Sequence, residues 1–288
     1  MRHPIAPMAG VAALVLLSAC GGGNVDAEAE VARAMQDINV IDESNLNDVM
    51  LTVADPNEAV NYFQRASGSA PDRVDLRRGL ARSLIRANRV AEGVVAWRGV
   101  AEDPQGTDED RVNYAGALIR DNRWDDAEAV LDQVPPTHET FDRYRFEAMV
   151  ADANEEWDRA DSFYETALGL TTTPAGVLNN WGYSNLSRGN YREAERLFTD
   201  ALRHDPDMFT AKNNLVLARG AQRQYDLPVI RMTQVEKAQL LYTMALTAIK
   251  QNDLTIGRSL LQEAVDTHPQ HFEEASRALA ALESNVSN

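Results

Sequence analysis

The stretch NNWGYSNLSRGNYREAERLFTDALRHDP, residues 179–206, has the pattern of two short helices joined by a turn. Trp181 and Gly182 are adjacent in the first helical pattern, alanines recur in the second, and Pro206 closes the segment. A helical hairpin of this length is too small to bury its own apolar side. It must therefore pack against neighbouring segments of the chain.

The same pattern returns along the chain with a spacing close to 34 residues. In a frame that begins at Ala175, small residues occupy the eighth, twentieth and twenty-seventh positions, and bulky residues lie between them. Frames of this kind start at residues 40, 74, 108, 141, 175 and 209, and another unit starts at residue 238. Small residues at fixed places let neighbouring helices approach closely, whereas unrelated amphipathic helices would share only apolar stripes. The pattern therefore predicts a repeat protein.

This pattern resembles the tetratricopeptide repeat, whose small and bulky residues occupy these positions. The resemblance is clearest in the unit from Ala175, at Leu178, Trp181, Gly182, Ala194, Phe198, Ala201 and Pro206. Asn185 departs from the family pattern, where an aromatic residue is usual. The resemblance implies an all-α superhelix, a solenoid of about seven helical hairpins. The segment FEEASRALAALE, residues 272–283, is expected to cap its last face.

The unit from Phe209 breaks the pattern, because Pro228 stands where a small helical residue is expected. Proline inside a helix removes a hydrogen bond and clashes with the preceding turn, at a cost of about 3 kcal/mol. We therefore expect the second helix of this unit to be delayed, shortened or replaced by a loop through residues 224–233.

The first 20 residues have the layout of a secretory signal: a basic start at Arg2, an apolar run too short to span a bilayer, and small residues. Leu17-Ser18-Ala19-Cys20 resembles the lipobox of bacterial lipoproteins, which implies cleavage before Cys20 and acylation of that residue. Gly21 follows where an inner-membrane retention signal usually has Asp, which by resemblance favours the periplasmic face of the outer membrane. The alternative is an ordinary signal peptide with an incidental cysteine.

These patterns divide the chain into four parts: a signal peptide at 1–19, a lipidated cysteine and tether at 20–39, a repeat array at 40–237, and a final repeat with its cap at 238–288. The formal net charge of −16 disfavours nucleic acid as a partner. A single cysteine excludes a disulfide within the chain and a cysteine metal cage. We find no phosphate loop, catalytic motif or metal-ligand set, so we expect no enzyme activity, no cofactor and no small-molecule substrate.

Binding is therefore the expected function, and the first helix of each unit should line the inner wall of the solenoid. The sixth position of the frame is asparagine in three units, at Asn113, Asn180 and Asn214. An asparagine amide offers two donors and an acceptor, which suits the backbone of an extended peptide. The family resemblance implies the same role, although asparagine is also simply common at this position. We add the neighbouring residues of the wall to this predicted groove: Asn179, Tyr183 and Asn213.

A basic stripe marks the N-terminal half of the same wall. Arg78, Arg82 and Arg86 follow one another at i, i+4 spacing, and Arg120 and Arg145 occupy inward positions of the next two units. One interpretation is that this half of the groove binds an acidic peptide or a C-terminal carboxylate. The other is internal pairing with acidic residues on the wall, at Asp75, Glu109 and Asp142.

A lipobox followed by a tetratricopeptide array, with the stretch LNNWGYSNLSRGNYREAERLFTDALRHDP and then AKNNLVLARGAQRQYD, resembles the TadD family of lipoproteins of Flp/Tad pilus assembly. That resemblance implies a scaffold that assembles or localises secretion components at the outer membrane. Alternatives are a helical-repeat lipoprotein of outer-membrane protein assembly or envelope division, and an accessory of cell-wall hydrolysis or a glycan binder. Tyr183 and Tyr242 are too isolated on the inner wall to favour glycan.

Overall fold

The computed structural model describes residues 46–286, and every regular element in this range is an α-helix. Helix α1 covers residues 46–52. The remaining helices follow in chain order: α2 (Pro56–Ser69), α3 (Val74–Arg86), α4 (Val90–Ala101), α5 (Asp108–Arg120), α6 (Trp124–Leu131), α7 (Phe141–Ala153), α8 (Trp157–Gly169), α9 (Ala175–Ser187), α10 (Tyr191–His204), α11 (Phe209–Ala221), α12 (Gln234–Lys250), α13 (Leu254–Thr267) and α14 (Glu273–Val286). Over the described range, none of these helices is both long and apolar enough to cross a membrane.

The repeat frame read from the sequence coincides with the helix boundaries. The inner helices α3, α5, α7, α9 and α11 each begin at the first residue of their frame, at Val74, Asp108, Phe141, Ala175 and Phe209. Each of the first four is followed by an outer helix that packs against it, and successive hairpins stack in chain order. The predicted all-α solenoid of the tetratricopeptide type is therefore confirmed.

Close approach of the two helices within a hairpin depends on the small residue at the eighth position. In the unit from Ala175, a Cβ added to Gly182 would lie 2.6 Å from Cε1 of Phe198 on α10. Ala194 and Ala201 on α10 are fully buried in the same cluster, which also includes Leu215 of α11. The hairpin thus packs against the unit from residue 209, which is expected because it is too short to bury its own apolar side.

The turns that follow the inner helices from α3 onward share one backbone feature. The residue one place past the inner helix cap adopts a positive φ, for example 57° at Asn88, 59° at Asn122 and 83° at Gly189. Asparagine and glycine tolerate this left-handed conformation, which ends a helix while its last carbonyls remain hydrogen-bonded. At Gly189 the amide donates to the carbonyl of Leu186, and Asn190 donates to Asn185.

The unit from Phe209 has no outer helix. Between α9 and α11 the chain has residues 188–208 for one helix and two turns, whereas between α11 and α12 it has only residues 222–233. The segment is too short for a helix and two turns, so the predicted replacement by a loop is confirmed, and chain length adds to the effect of Pro228. The described solenoid therefore consists of seven units, of which six are complete hairpins and one is the unpaired inner helix α11.

Helix α11 packs directly on α12 across this loop, and a buried ion pair joins the two helices. The ammonium of Lys212, with 1% of its side chain exposed, lies 2.8 Å from the carboxylate of Glu236. Glu236 also accepts from the amide of Thr233 at 2.7 Å and completes the capping box of α12. The start of the loop, next to α11, is held by Tyr225 and Arg223, which both donate hydrogen bonds to Asp253 at the start of α13.

Helix α14 covers the last hairpin, as the sequence predicted. Ala275 is fully buried against the cluster formed by α12 and α13, and Phe272, Leu279 and Leu282 pack against the same cluster. A stacked array needs such a cap because the outer face of its last unit would otherwise expose apolar side chains.

Candidate functional site

A groove of about 450 Å³ lies between the inner helices α7, α9 and α11. We call it the central groove, and its lining consists of Trp124, Met149, Asp152, Ala153, Tyr164, Asn179, Asn180, Tyr183, Ser184, Ser187, Thr210 and Asn214. Four of the residues predicted from the sequence, Asn179, Asn180, Tyr183 and Asn214, are therefore brought together at one place.

Side-chain amides span the width of the central groove. The Nδ2 group of Asn214 donates to Oδ1 of Asn179 at 3.1 Å, and Nδ2 of Asn180 lies 3.8 Å from the sulfur of Met149. Within the described residues, the Asn179 amide nitrogen and the Asn180 amide oxygen have no hydrogen-bond partner. The groove thus presents a free donor and a free acceptor from adjacent residues, which matches the alternation of groups on an extended backbone.

Apolar surface accompanies these amides. The side chain of Tyr183 is 58% exposed. Met149 and Trp124 line the same groove from α7 and from the start of α6. An exposed tyrosine beside apolar walls is a surface suited to contact with a partner's side chains.

A carboxylate lies at the base of the central groove. Asp152, near the end of α7, accepts a hydrogen bond from Ser184 at 2.6 Å and one from the phenol of Tyr164 at 2.7 Å. Burial raises the pKa of Asp152, although both hydroxyl donors and the nearby Arg188 oppose that rise. Burial and the adjacent carboxylate raise the pKa of Tyr164, so its phenol stays protonated and continues to donate.

Asp152 is a site residue that the sequence reasoning missed. It occupies the twelfth position of its frame, where the other units have Leu51, Ile85, Ile119, Leu186, Gly220 and Ile249. A carboxylate at a frame position that is otherwise apolar or glycine is therefore the feature of the sequence that could have indicated this site residue.

Arg78, the first residue of the predicted basic stripe, has an internal partner. Its Nε and Nη2 groups each donate to the carboxylate of Asp110 at 2.7 Å, and Asp110 is only 2% exposed. Burial opposes ionisation of Asp110, but the hydrogen bonds from Arg78 and Thr107 outweigh it and hold its pKa below the ordinary value. This bidentate pair joins α3 to α5. For Arg78, the interpretation as an internal ion pair is therefore the one that the structure supports.

Arg86, Arg145 and Asn113 also have partners within the chain. Arg86 donates to the carbonyls of Met50, Leu51 and Ala54 around the end of α1, at 2.6 to 3.1 Å. Arg145 pairs with Asp142 on its own helix at 2.7 Å and lies over the ring of Phe146. Asn113 donates to the carbonyl of Glu109, one turn back on α5, at 2.8 Å. The predicted binding role of these residues would require exchange of these contacts.

The remaining predicted residues differ in availability. Arg82 and Arg120 are exposed and form no ion pair or side-chain hydrogen bond with any residue in the range 46–286. Asn213 lies beside the central groove and accepts from Thr243 of α12 at 2.9 Å. Cys20 and its lipobox lie outside the described residues. In the part of the chain that the structure describes, no group of three or more His, Cys, Asp or Glu side chains is placed to hold a metal ion.

Comparison with known proteins agrees with this geometry. A sequence profile of the tetratricopeptide repeat matches residues 51–106 and 179–227. Comparison with curated protein sequences finds no match.

Among solved structures, a chain of the APC/C hetero-tetramer Cut9-Hcn1 has a TM-score of 0.60 and 14% identity, with 82% of this chain and 48% of that chain covered. A tetratricopeptide repeat protein from Parabacteroides merdae has a TM-score of 0.54 at 11% identity, with 86% and 96% covered. TTC0263, a thermophilic protein of this class in Thermus thermophilus, has a TM-score of 0.52 at 17% identity, with 60% and 95% covered.

The chain thus spans about half the length, 48%, of the Cut9-Hcn1 chain that it matches. At these identities the similarity concerns the fold alone. Two segments match the repeat by sequence and stacked helical hairpins make up the described range, so this protein has the fold of a tetratricopeptide-repeat protein.

Proposed function

We propose that the chain is a non-catalytic scaffold whose central groove binds an extended peptide segment of a protein partner. The observation that carries this proposal is the free amide donor and acceptor of Asn179 and Asn180 beside the exposed ring of Tyr183. The amides would pair with the backbone of the peptide, and the tyrosine would pack against its side chains.

A second element of the proposal concerns the N-terminal half of the inner wall. Arg82 and Arg120 are the two members of the basic stripe that have no partner in the described chain. We propose that they attract acidic residues of the partner, since unpaired surface cations favour encounter with negative charge. Arg78, Arg86 and Arg145 would support this wall through their internal contacts.

The proposed place of action is the periplasmic face of the outer membrane, with the chain anchored through acylated Cys20. The support for this is the lipobox at residues 17–20 and the short apolar run before it. By its resemblance to the TadD family, the proposed process is assembly of a Flp/Tad-type pilus or its secretion apparatus. The alternative process is outer-membrane protein assembly or envelope division and cell-wall remodelling.

The groove proposal is tested by panning a phage-displayed library of random dodecapeptides on the full chain. We expect the wild-type chain to enrich peptides that bind several-fold less to Asn180→Leu and Tyr183→Ala. Glu165→Gln, at an exposed position of α8, is the matched control and should bind the same peptides as wild type. Peptides that bind all four proteins equally would contradict a role for the central groove.

The anchoring proposal is tested by fractionation of a Gram-negative host that expresses the chain. The wild-type protein should sediment with washed outer membranes and incorporate labelled palmitate, because acyl chains add about 0.8 kcal/mol of membrane affinity per buried CH₂. Cys20→Ala should lose both properties. Sedimentation of Cys20→Ala with washed membranes would overturn the lipoprotein assignment.

A further inference from the structure

The central groove contains one ionisable carboxylate and no cation. Of its lining residues, only Asp152 carries a charge at neutral pH, because the rest are apolar, amide, hydroxyl or phenol side chains. A groove with a single negative charge at its base is electrostatically selective, even in a chain whose surface is acidic overall.

No side chain of the described residues neutralises this charge by direct pairing. The two hydrogen bonds to Asp152 come from the hydroxyls of Ser184 and Tyr164, and the nearby Arg188 is paired with Asp161 on α8. A carboxylate offers about four acceptor positions, so Asp152 retains acceptor capacity toward the groove. Burial raises its pKa, and the hydroxyl donors and the nearby Arg188 only partly oppose that rise.

The other units of the repeat fold without a carboxylate at the position of Asp152. The equivalent position holds isoleucine in three units and leucine in two, so an aliphatic side chain serves the fold there. The hydroxyl of Tyr164 is likewise specific to this unit, since the equivalent position holds Trp97, Leu131, Phe198 and Leu261 elsewhere. A carboxylate and its phenol donor thus stand in place of apolar residues in the unit where both line the central groove.

We propose that Asp152 is a specificity-determining residue that receives the ammonium group of a lysine side chain from the bound peptide. This inference rests on the proposed function of the central groove and adds the chemistry of its partner: an extended segment with a lysine. The lysine stem would lie along Met149 and Tyr183, which line the same groove as Asp152.

Lysine fits this acceptor better than arginine does. The two carboxylate oxygens of Asp152 each already accept one hydroxyl hydrogen bond, from Ser184 and from Tyr164. Bidentate pairing with a planar guanidinium needs both oxygens free along the same edge, whereas an ammonium is a compact point charge that can approach a single oxygen.

The test uses two oriented peptide libraries on the full chain, acetyl-XXXX-Lys-XXXX-amide and the same library with norleucine in place of lysine. Norleucine keeps the aliphatic stem and removes the ammonium. We expect wild type to retain the lysine library about tenfold more than the norleucine library, which is the effect of one good charged contact. An arginine library should fall between the two.

Asp152→Asn should retain the lysine library only at the norleucine level, while its retention of the norleucine library equals that of wild type. The second result shows that the groove of the variant is intact. Asp158→Asn, the same substitution at an exposed position of α8, should keep the tenfold preference.

Two results would overturn the inference, and they are distinguishable. Equal retention of both libraries by wild type, with loss of both in Tyr183→Ala, would leave the groove a peptide site and remove the lysine preference. Retention of neither library above the level of Tyr183→Ala would overturn the proposed function together with this inference.

Discussion

At the scale of single residues, the fold depends on glycines at positions where no side chain would fit. The rings of Phe63, Phe146 and Phe198 occupy the space that a Cβ would need at Gly79, Gly116 and Gly182, with separations of 2.3 to 2.6 Å. A helix crossing this close gains dispersion contacts over its whole length, and one added methyl group forces the helices apart.

Gly182→Ala should therefore lower the free energy of unfolding by about 1–3 kcal/mol, in spite of the better helix propensity of alanine. Gly99→Ala, where an added Cβ meets nothing within 4 Å, is the matched control and should be neutral or stabilising. Urea denaturation followed by circular dichroism measures both. A Gly182→Ala protein as stable as Gly99→Ala would show that the helices can separate at no cost.

Asp152 is a residue whose ionisation lowers the stability of the folded state, because its carboxylate is buried. Its folded-state pKa is raised above the unfolded value, so the folded chain binds this proton more tightly. The associated stability is fully present below the unfolded pKa and is lost as the pH rises through the folded pKa. A carboxylate of this kind is more easily explained by binding than by folding.

Asp152→Asn should remove that pH dependence. We expect the unfolding temperature of Asp152→Asn, relative to wild type, to be higher at pH 7.5 than at pH 4, near the ordinary pKa of aspartate of about 3.9. Differential scanning fluorimetry at the two pH values gives the comparison, with Asp158→Asn as control. A relative unfolding temperature that falls between pH 4 and pH 7.5 would contradict the assigned direction of the pKa.

At the scale of elements, α11 is the exception to the hairpin rule. It has no outer helix, and residues 222–233 carry the chain directly to α12. The Lys212–Glu236 pair joins the two inner helices in the absence of that outer helix, and the same glutamate caps α12. Hydrogen bonds from Lys212 and Thr233 hold the pKa of the Glu236 carboxyl below its usual range, with the Lys212 contact the larger cause.

The two partners of this pair should respond unequally to mutation. Glu236→Ala leaves a buried ammonium without a partner and removes a helix cap, so it should cost about 3–5 kcal/mol. Lys212→Met leaves a glutamate that is 20% exposed and still bonded to Thr233, so it should cost less.

Chemical denaturation of both variants and of the double variant tests this. The double variant should be more stable than Glu236→Ala alone, because the unpaired ammonium is then gone. A double variant less stable than Glu236→Ala would show that the Lys212 stem, rather than its charge, holds α11 against α12.

At the scale of the whole molecule, the chain is a one-dimensional stack in which each hairpin contacts its neighbours. Stability in such a stack is a sum of unit terms and interface terms, so a change at one end has local effects. Helix α14 supplies the last interface, through Ala275 and the apolar side chains that follow it.

Deletion of residues 271–288 should therefore lower stability mainly at the C-terminal end. Hydrogen–deuterium exchange should show lost protection in α12 and α13, whose apolar cluster α14 covers, and unchanged protection in α5 to α8. Mass spectrometry of peptic fragments resolves the two regions. Equal loss of protection along the whole chain would mean that the stack unfolds as a single cooperative unit.

The architecture could be predicted from the sequence, because each repeat is specified by residues that are close together in the chain. The helix starts at Val74, Asp108, Phe141, Ala175 and Phe209 follow from the positions of small and bulky residues, and Pro228 indicates where the pattern breaks. The inner-wall positions of Asn179, Asn180, Tyr183 and Asn214 follow from helical periodicity, so part of the candidate site was predictable.

Which of these side chains are available for binding depends on tertiary packing. Contacts between residues about one repeat apart, such as Arg78 with Asp110 and Asn179 with Asn214, depend on side-chain direction across an interface that periodicity does not specify. The same holds for Asp152, whose meeting with Tyr164 and Ser184 creates the charged base of the groove. Periodicity gives the face on which a residue lies, whereas the packing of neighbouring units determines what that residue can bind.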